Sequence, residues 1–432
     1  MRKQILTKWK KHFSLRPEIF RRRHHQIEVS RISKNALKVI KQLHEEGYSA
    51  YLVGGGVRDL LVGQTPKDFD VVTDAKPEQI RKLFGRSRII GRRFRLVHVY
   101  FRSEIIEVST YRANSQESSR LSPLAVAISD QPPILSHDNT YGTIEEDAWR
   151  RDFTVNALYF DSVKDQVVDY TQGMKDIKLQ CIQMIGEPIQ RFHEDPIRLL
   201  RAIRLAAKLD FTLDSKIQEC IRDLAGLLYH VPEARILDEM MKLFFKGFAS
   251  KTYKLLQEYG YSDILFPLTA VAIQENTDHL FNRLIELALK TTDYRYDNNM
   301  SLNPGFLFSV FLWPALQKQL EKEQVSYPIF TTRLRIASSH ILNKQHEIFL
   351  ISKRMRQMMR SIWLLQYYLL APKPHRVLRI MSHRYFRAAL DLLQLRVEAG
   401  EPYGELAIWW QRLRVTGDRS TCKNIIAELK SK

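Results

Sequence analysis

Apolar residues recur along this chain at two different periods, and the place where the period changes divides it. In Ser33 to Glu46, Leu37, Ile40 and Leu43 fall three apart, as on one helix face, with Ser33 placed to cap the start and Gly47 to stop the end. Residues 49–53 then read as a strand, Pro77 to Phe84 as a short helix, and 88–91, 94–101 and 104–110 as further strands. This order predicts a small mixed sheet of about five strands with helices packed against it. Residues 114–139 are rich in Ser, Pro, Asp and Asn, which predicts a mobile loop or insert. From about Arg191 the helical period takes over and glycines become rare. Residues 232–260, 276–291 and 302–316 read as amphipathic helices, and the helical character persists to the C-terminus. The fold class predicted is therefore α+β, a mixed-sheet domain followed by helices.

Composition narrows the partners. The 432 residues exceed what one core needs, and about three domains follow from the usual domain size. A net charge of +19 and a pI near 9.7 point to a polyanion, most simply nucleic acid; an anionic membrane surface or a basic surface kept for solubility would also account for them. Cys181, Cys220 and Cys422 are far apart and lack metal-type spacing, so a cytosolic protein without a disulfide framework is expected. The basic start MRKQILTKWKKHF has no apolar core of a secretory signal. It reads as a frayed tail, or as a segment that touches RNA or a membrane.

Candidate chemistry concentrates in residues 52–70, LVGGGVRDLLVGQTPKDFD. Gly54, Gly55 and Gly56 follow a strand and open a helix; glycine lets backbone N–H groups approach a phosphate, and Arg58 adds a cation one turn later. A tight turn alone would need the same glycines. Asp68 and Asp70 are two apart, so on a strand they share a face, where they would repel each other without a cation. Mg²⁺ takes such hard oxygen ligands and completes its shell with water and phosphates. A solvated strand end is the alternative. Glu107 interrupts an apolar strand pattern, which suits a third carboxylate for two-metal phosphoryl chemistry or a strand-edge residue facing water.

Two more clusters follow. In WRRDFTVNAL, Asp152 and Asn156 are four apart and are expected on one helix face beside Arg151, where ribose or phosphates could meet them. In EDPIRLLRAIR, Leu199, Leu200, Ile203 and Ala207 make a buried stripe, with Asp195, Arg198 and Arg201 on the opposite side. An Asp and an Arg one turn apart can read a base edge, or can make a surface salt bridge. The stretch from Lys353 to Arg387, continuing to Trp409-Trp410, interleaves cations with Trp363, Tyr367, Tyr368, His375, Tyr385 and Phe386. That mixture suits single-stranded RNA, although aromatics at helical spacing mostly serve as core.

Taken in order, LVGGGVRD, DFDVVT, the Glu107 strand, RRDFTVNAL and EDPIRLLRAIRLAAKL resemble the class II nucleotidyltransferases of the polymerase-β-like superfamily, which includes the tRNA CCA-adding enzymes and the bacterial poly(A) polymerases. The resemblance is strong over about residues 30–260. The segment GRRFRLVH at residues 91–98, with PEARILDEMMKLFFKGF and NPGFLF, is similar to the poly(A) polymerase branch. The resemblance implies a basic extension (1–30), a catalytic head (31–175), a helical neck (176–260) and a helical body with an RNA-binding C-terminal region (261–432). Some relatives end in a long arginine-rich tail, which is expected to be curtailed here.

Carried over by motif, Asp68, Asp70 and Glu107 hold two Mg²⁺ ions. Asp152 belongs to the same site, and Gly55, Gly56, Arg58, Arg151 and Asn156 contact ATP. Asp195 and Arg198 face the base, with Arg201 and Arg204 shaping the pocket. The implied activity is template-independent addition of AMP from ATP to RNA 3′ ends, in mRNA processing and decay, by a cytoplasmic monomer with RNA-decay proteins as partners. A CCA-adding tRNA nucleotidyltransferase is the alternative. An inactive RNA-binding scaffold is disfavoured by the presence of both Asp68 and Asp70, and a metal phosphohydrolase at His193-Glu194-Asp195 by the lack of a second histidine set.

Overall fold

The computed structural model describes residues 16–91, 95–113, 140–276, 279–323, 329–416 and 425, and these fall into two compact units. The first comprises the chain to Glu194 with Asp210–Cys220; the second comprises Asp195–Leu209 and the chain from Ile221. The segment 114–139, read as a loop, lies outside the described residues, as do residues 1–15 and 92–94.

The first unit is built on one mixed sheet. Its strands are β1 (Glu18–Arg21), β2 (Ala50–Val53), β3 (Asp70–Thr73), β4 (Ser87–Ile90), β5 (Leu96–Tyr100), β6 (Ile105–Thr110), β7 (Leu158–Asp161) and β8 (Gln166–Asp169). They lie side by side in the order β1-β8-β7-β2-β3-β6-β5-β4. The sheet thus has eight strands where about five were expected. β7 and β8 lie beyond residues 114–139, and β1 lies within the expected basic extension, paired antiparallel with β8 from Glu18 opposite Asp169 to Arg21 opposite Gln166. Every neighbouring pair is antiparallel except β3 and β6.

Alternation decides which face is buried. Leu52, Val71, Ile106, Val108, Val97 and Val99 point to a core shared with Ala36, Val39, Ile40 and Leu43 of helix α1 (Lys34–Glu45). The Ser33 hydroxyl caps α1 by accepting from the Asn35 and Ala36 N–H groups. Each such aliphatic side chain withdrawn from water contributes about 1.5–3 kcal/mol, enough in sum to fix strand register. The other face holds a smaller cluster of Val53, Val72, Tyr111, Ala148, Tyr159 and Val168. Asp70 and Glu107 alternate with the buried residues of their strands and are exposed.

The second unit is helical throughout its described length. Helix α2 (Ile197–Leu209) buries Leu199, Leu200, Ile203 and Ala207 as its period requires. Ala202, Leu205 and Ala206 are buried too, so only a narrow stripe including Arg198, Arg201 and Arg204 keeps partial solvent access. Helices Glu233–Phe244 and Ala249–Glu258 pack on it. Farther on, Trp363 and Trp410 are fully buried, each donating its indole N–H to a backbone carbonyl, of Ser309 and Leu369 respectively. Phe386 and Trp409 are also buried, so these aromatics of the cation-rich stretch are core. Tyr367 remains exposed and stacks on Phe330 at 4.3 Å. No described helix is long and apolar enough to cross a membrane.

Candidate active site

The glycine run turns β2 into a helix spanning Gly55–Leu61. Gly54 has φ +73° and ψ −136°, a conformation that a side chain strongly disfavours. Gly56 is in a tight place for a different reason, since a Cβ there would lie 3.3 Å from the carbonyl oxygen of Asp68. The glycine turn therefore packs directly against the Asp68-Phe69-Asp70 segment. Gly55 shows neither constraint, a Cβ there meeting only the Arg58 guanidinium at 3.4 Å.

Strand pairing assembles the acidic row. Val53 lies opposite Asp70, Asp70 opposite Glu107, and Glu107 opposite His98, on four adjacent strands. Asp68 sits just before β3 rather than on it, because the strand begins at Asp70. Its exposure nevertheless alternates with buried Phe69, as strand spacing predicts. Although Asp70 counts as an exposed residue, protein packed around its carboxyl displaces water and pushes its pKa up to about 6, followed by Glu107, with Arg151 pulling it down and Asp68 pushing it up further. His98 Nε2 lies 3.3 Å from the Glu107 carboxylate.

Asp152 and Asn156 do not share a helix face. The helix Ile144–Arg150 ends where Arg151 turns extended, and Thr154–Asn156 forms a separate 3₁₀ turn. The two still meet, because Asn156 Nδ2 donates to Asp152 Oδ1 at 3.2 Å and the Phe153 N–H donates to the same oxygen at 2.8 Å. Asn156 in turn accepts from Arg58 Nη1. Arg58 is only 5% exposed, and its Nε and Nη2 donate to Asp59 Oδ1 at 3.0 and 2.7 Å. Arg58 is thus a buried strut between the glycine helix and the Asp152-Asn156 turn.

Arg151 is held by residues that sequence reasoning passed over. Buried Asp147 accepts from Arg151 Nε and Nη2 at 3.1 and 2.9 Å and from the Tyr159 hydroxyl at 2.9 Å. Burial works against the Arg151 charge, but Tyr159 and Asp147 more than offset it and its pKa is raised. The i, i+4 spacing of Asp147 and Arg151 was available as a signal; Tyr159 could be found only from the register that sets it opposite Val53. Arg191 Nη2 donates to the carbonyls of Arg150 and Arg151, fixing the backbone just before Asp152.

The remaining expected residues lie in the helical unit. Asp195 pairs with Arg235 at 3.0 Å. Arg204 Nε donates to Glu239, which is 3% exposed and also paired with Lys242, so Arg204 is tethered to the neighbouring helix as a supporting residue would be.

Residues 50–183 match the family described as Poly A polymerase head domain, residues 210–273 the "Probable RNA and SrmB- binding site of polymerase A", and residues 330–432 the Polymerase A arginine-rich C-terminus. Among curated proteins, Poly(A) polymerase I of Escherichia coli O157:H7 is 44% identical over 91% of this chain and 85% of its own length. That of Haemophilus influenzae is 42% identical over 88% and 84%. The CCA-adding enzyme of Lactobacillus helveticus is 36% identical over only 48% of this chain and 49% of its own. Among solved structures, the Bacillus stearothermophilus CCA-adding enzyme in complex with CTP aligns with a TM-score of 0.58 and 25% identity over 87% of this chain and 80% of that one. The likeness to CCA-adding enzymes is thus carried by fold and by half of the sequence, whereas that to poly(A) polymerases runs through almost the whole of it. The chain belongs to the bacterial poly(A) polymerase family.

Proposed function

We propose that this protein adds AMP from ATP to RNA 3′ ends without a template. The observation that carries the reading is the parallel register of β3 and β6, which faces Asp70 with Glu107 beside Asp68. Glu107 and Asp68 both push the Asp70 pKa up, and the three carboxylates together fit a divalent cation by the chemistry of their donors. Asp68, Asp70 and Glu107 would hold two such ions. When bound, the ions supply Lewis-acid stabilisation of charge on the transferring phosphoryl group.

The 3′ hydroxyl oxygen gives up its proton to solvent and bonds to the α-phosphorus of ATP, the bond to the β-phosphate bridging oxygen breaks, and pyrophosphate leaves. In this reading the N–H groups of Gly55 and Gly56 meet the triphosphate, and Arg151 carries a charge fixed by Asp147. Asp152 and Asn156, hydrogen-bonded to each other, offer polar atoms to the ribose. Arg58 contributes by holding Asn156. Asp195 and Arg198 read the adenine edge, with Arg201 and Arg204 as supports; a dry polar edge left unmatched strongly penalises the wrong base. A cytoplasmic, monomeric enzyme with RNA-decay proteins as partners completes the reading.

The test is extension of an unstructured RNA with each NTP offered singly, beside an Asp68→Ala/Asp70→Ala control. A long ladder with ATP alone, absent in the control, is expected. Addition of one to three residues that requires CTP on a trimmed tRNA would assign the protein to CCA addition instead.

A further inference from the structure

The helical unit contains a cavity of about 560 Å³ where the helices Leu280–Asp297, Pro304–Phe311, Lys353–Leu370, Phe386–Ala399 and Gly404–Val415 come together. Its wall carries five arginines, Arg295, Arg354, Arg384, Arg387 and Arg414, against two carboxylates, Asp391 and Glu398. Asp391 lies 3.6 Å from Arg414 and also feels Arg387 and Arg295, yet burial still raises its pKa. Arg354 and Arg384 have no ion pair among the described residues. Surplus cations scattered over a convex surface serve solubility, whereas cations turned into one concavity focus their field on whatever enters it.

The rest of the lining narrows the anion. Phe306, Leu307, Met358 and Tyr385 contribute apolar and aromatic surface to the same cavity, and the Arg384 guanidinium lies 5.4 Å from the centre of the Tyr385 ring. A bare phosphate would leave a space of this size mostly empty and its apolar wall unused. A nucleotide fits both, having an anionic part for the arginines and a flat base for the aromatic wall. Arg354, Arg384 and Arg387 are all exposed, so they can serve phosphates that continue out of the cavity, which favours a strand over a free nucleotide.

We propose that this cavity holds one nucleotide of the single-stranded RNA substrate, with its base against Tyr385, Phe306 and Met358 and its flanking phosphates on Arg354, Arg384 and Arg387. This rests on the reading of RNA as the substrate and adds a holding site in the helical unit, separate from the residues assigned to the transfer. A free nucleotide shares the chemistry, and the test separates the two.

The experiment uses the full chain without divalent metal and follows, by fluorescence anisotropy, binding of a labelled oligoadenylate of about 15 nucleotides, a length in the range of single-strand sites. Arg354→Ala/Arg387→Ala should weaken binding at least tenfold and make the slope of log K against log salt shallower by about 1.4, at about 0.7 per phosphate contact. Ala388→Trp, which fills the cavity without changing charge, should weaken binding with the salt slope kept. Both variants should retain the wild-type melting temperature. Arg354→Lys/Arg387→Lys should recover most of the affinity. Unchanged affinity in the double arginine variant overturns the proposal even if Ala388→Trp fails to fold. If ATP alone stabilises the wild type but not the variants while oligoadenylate binding is unaffected, the cavity is a free-nucleotide site and the RNA assignment falls. If oligoadenylate binds as expected but no RNA is extended, the functional reading fails and the cavity stands.

Discussion

Asp70 and Glu107 stand opposite each other in the one parallel ladder of the sheet, so carboxylates from two distant stretches of chain are held side by side. Burial, Glu107 and Asp68 together keep the Asp70 proton bound to about pH 6. The folded state therefore holds this proton more tightly than the unfolded state, and stability contributed by the neutral form is lost as pH rises from about 4 through about 6. Metal-free protein should show a falling melting temperature across that window. Asp70→Asn should flatten the slope, and Mg²⁺ at neutral pH should raise the melting temperature of wild type and not of Asp70→Asn/Glu107→Gln. Equal slopes for wild type and Asp70→Asn would remove the repulsion argument.

The glycine turn makes a discriminating pair. Gly54→Ala forces a side chain into φ +73° and should destabilise by about 1–3 kcal/mol. Gly55→Ala lies in the helix with ordinary contacts, so its stability should be unchanged or slightly higher. Urea denaturation of the two variants checks the order; a larger loss at Gly55 would contradict it.

Arg58→Ala removes one buried partner of Asp59, whose side chain is 11% exposed, and frees Asn156 from its strut. Breaking a buried pair on one side typically costs about 3–5 kcal/mol, so the variant should be clearly less stable. If Arg58 acted only on the triphosphate, KM for ATP would rise while the melting temperature stayed at the wild-type value.

Base choice should depend on Asp195 and Arg198, while Arg235, paired with Asp195 in the structure, sets where that carboxylate points. Asp195→Ala and Arg198→Ala should each lower the preference for ATP over CTP, measured as a ratio of kcat/KM, by at least about tenfold. Arg235→Ala should lower it less and leave overall stability nearly unchanged, since its side chain is 51% exposed. No change in the ratio for Asp195→Ala and Arg198→Ala would remove them from base recognition.

Local signals in the sequence carried much of this site. Ser33 as a cap, Pro77 opening a helix and the exposed positions of Asp70 and Glu107 all follow from short-range chemistry that acts the same way in the folded protein. What stayed hidden depends on long-range pairing. β1 is four residues of mixed polarity whose identity as a strand comes from β8, far along the chain. The four-residue spacing of Asp152 and Asn156 suggested a helix, but Arg151 turns extended and a side-chain hydrogen bond joins them instead. The bond from Arg58 to Asn156 was equally hidden, because nothing local reveals that Asn156 folds back onto it.

The β3–β6 ladder also bears on how errors in assembly are rejected. A slip of one residue in β6 would set Ile106 or Val108 against Asp70 in place of Glu107, and would turn that buried pair, 1% and 0% exposed, out to solvent. The aliphatic core thus proofreads the placement of the carboxylates. Substitutions such as Val108→Ala, which touch no substrate in the proposed mechanism, are then expected to blur the catalytic row by loosening the alignment that keeps misregistered chains from persisting.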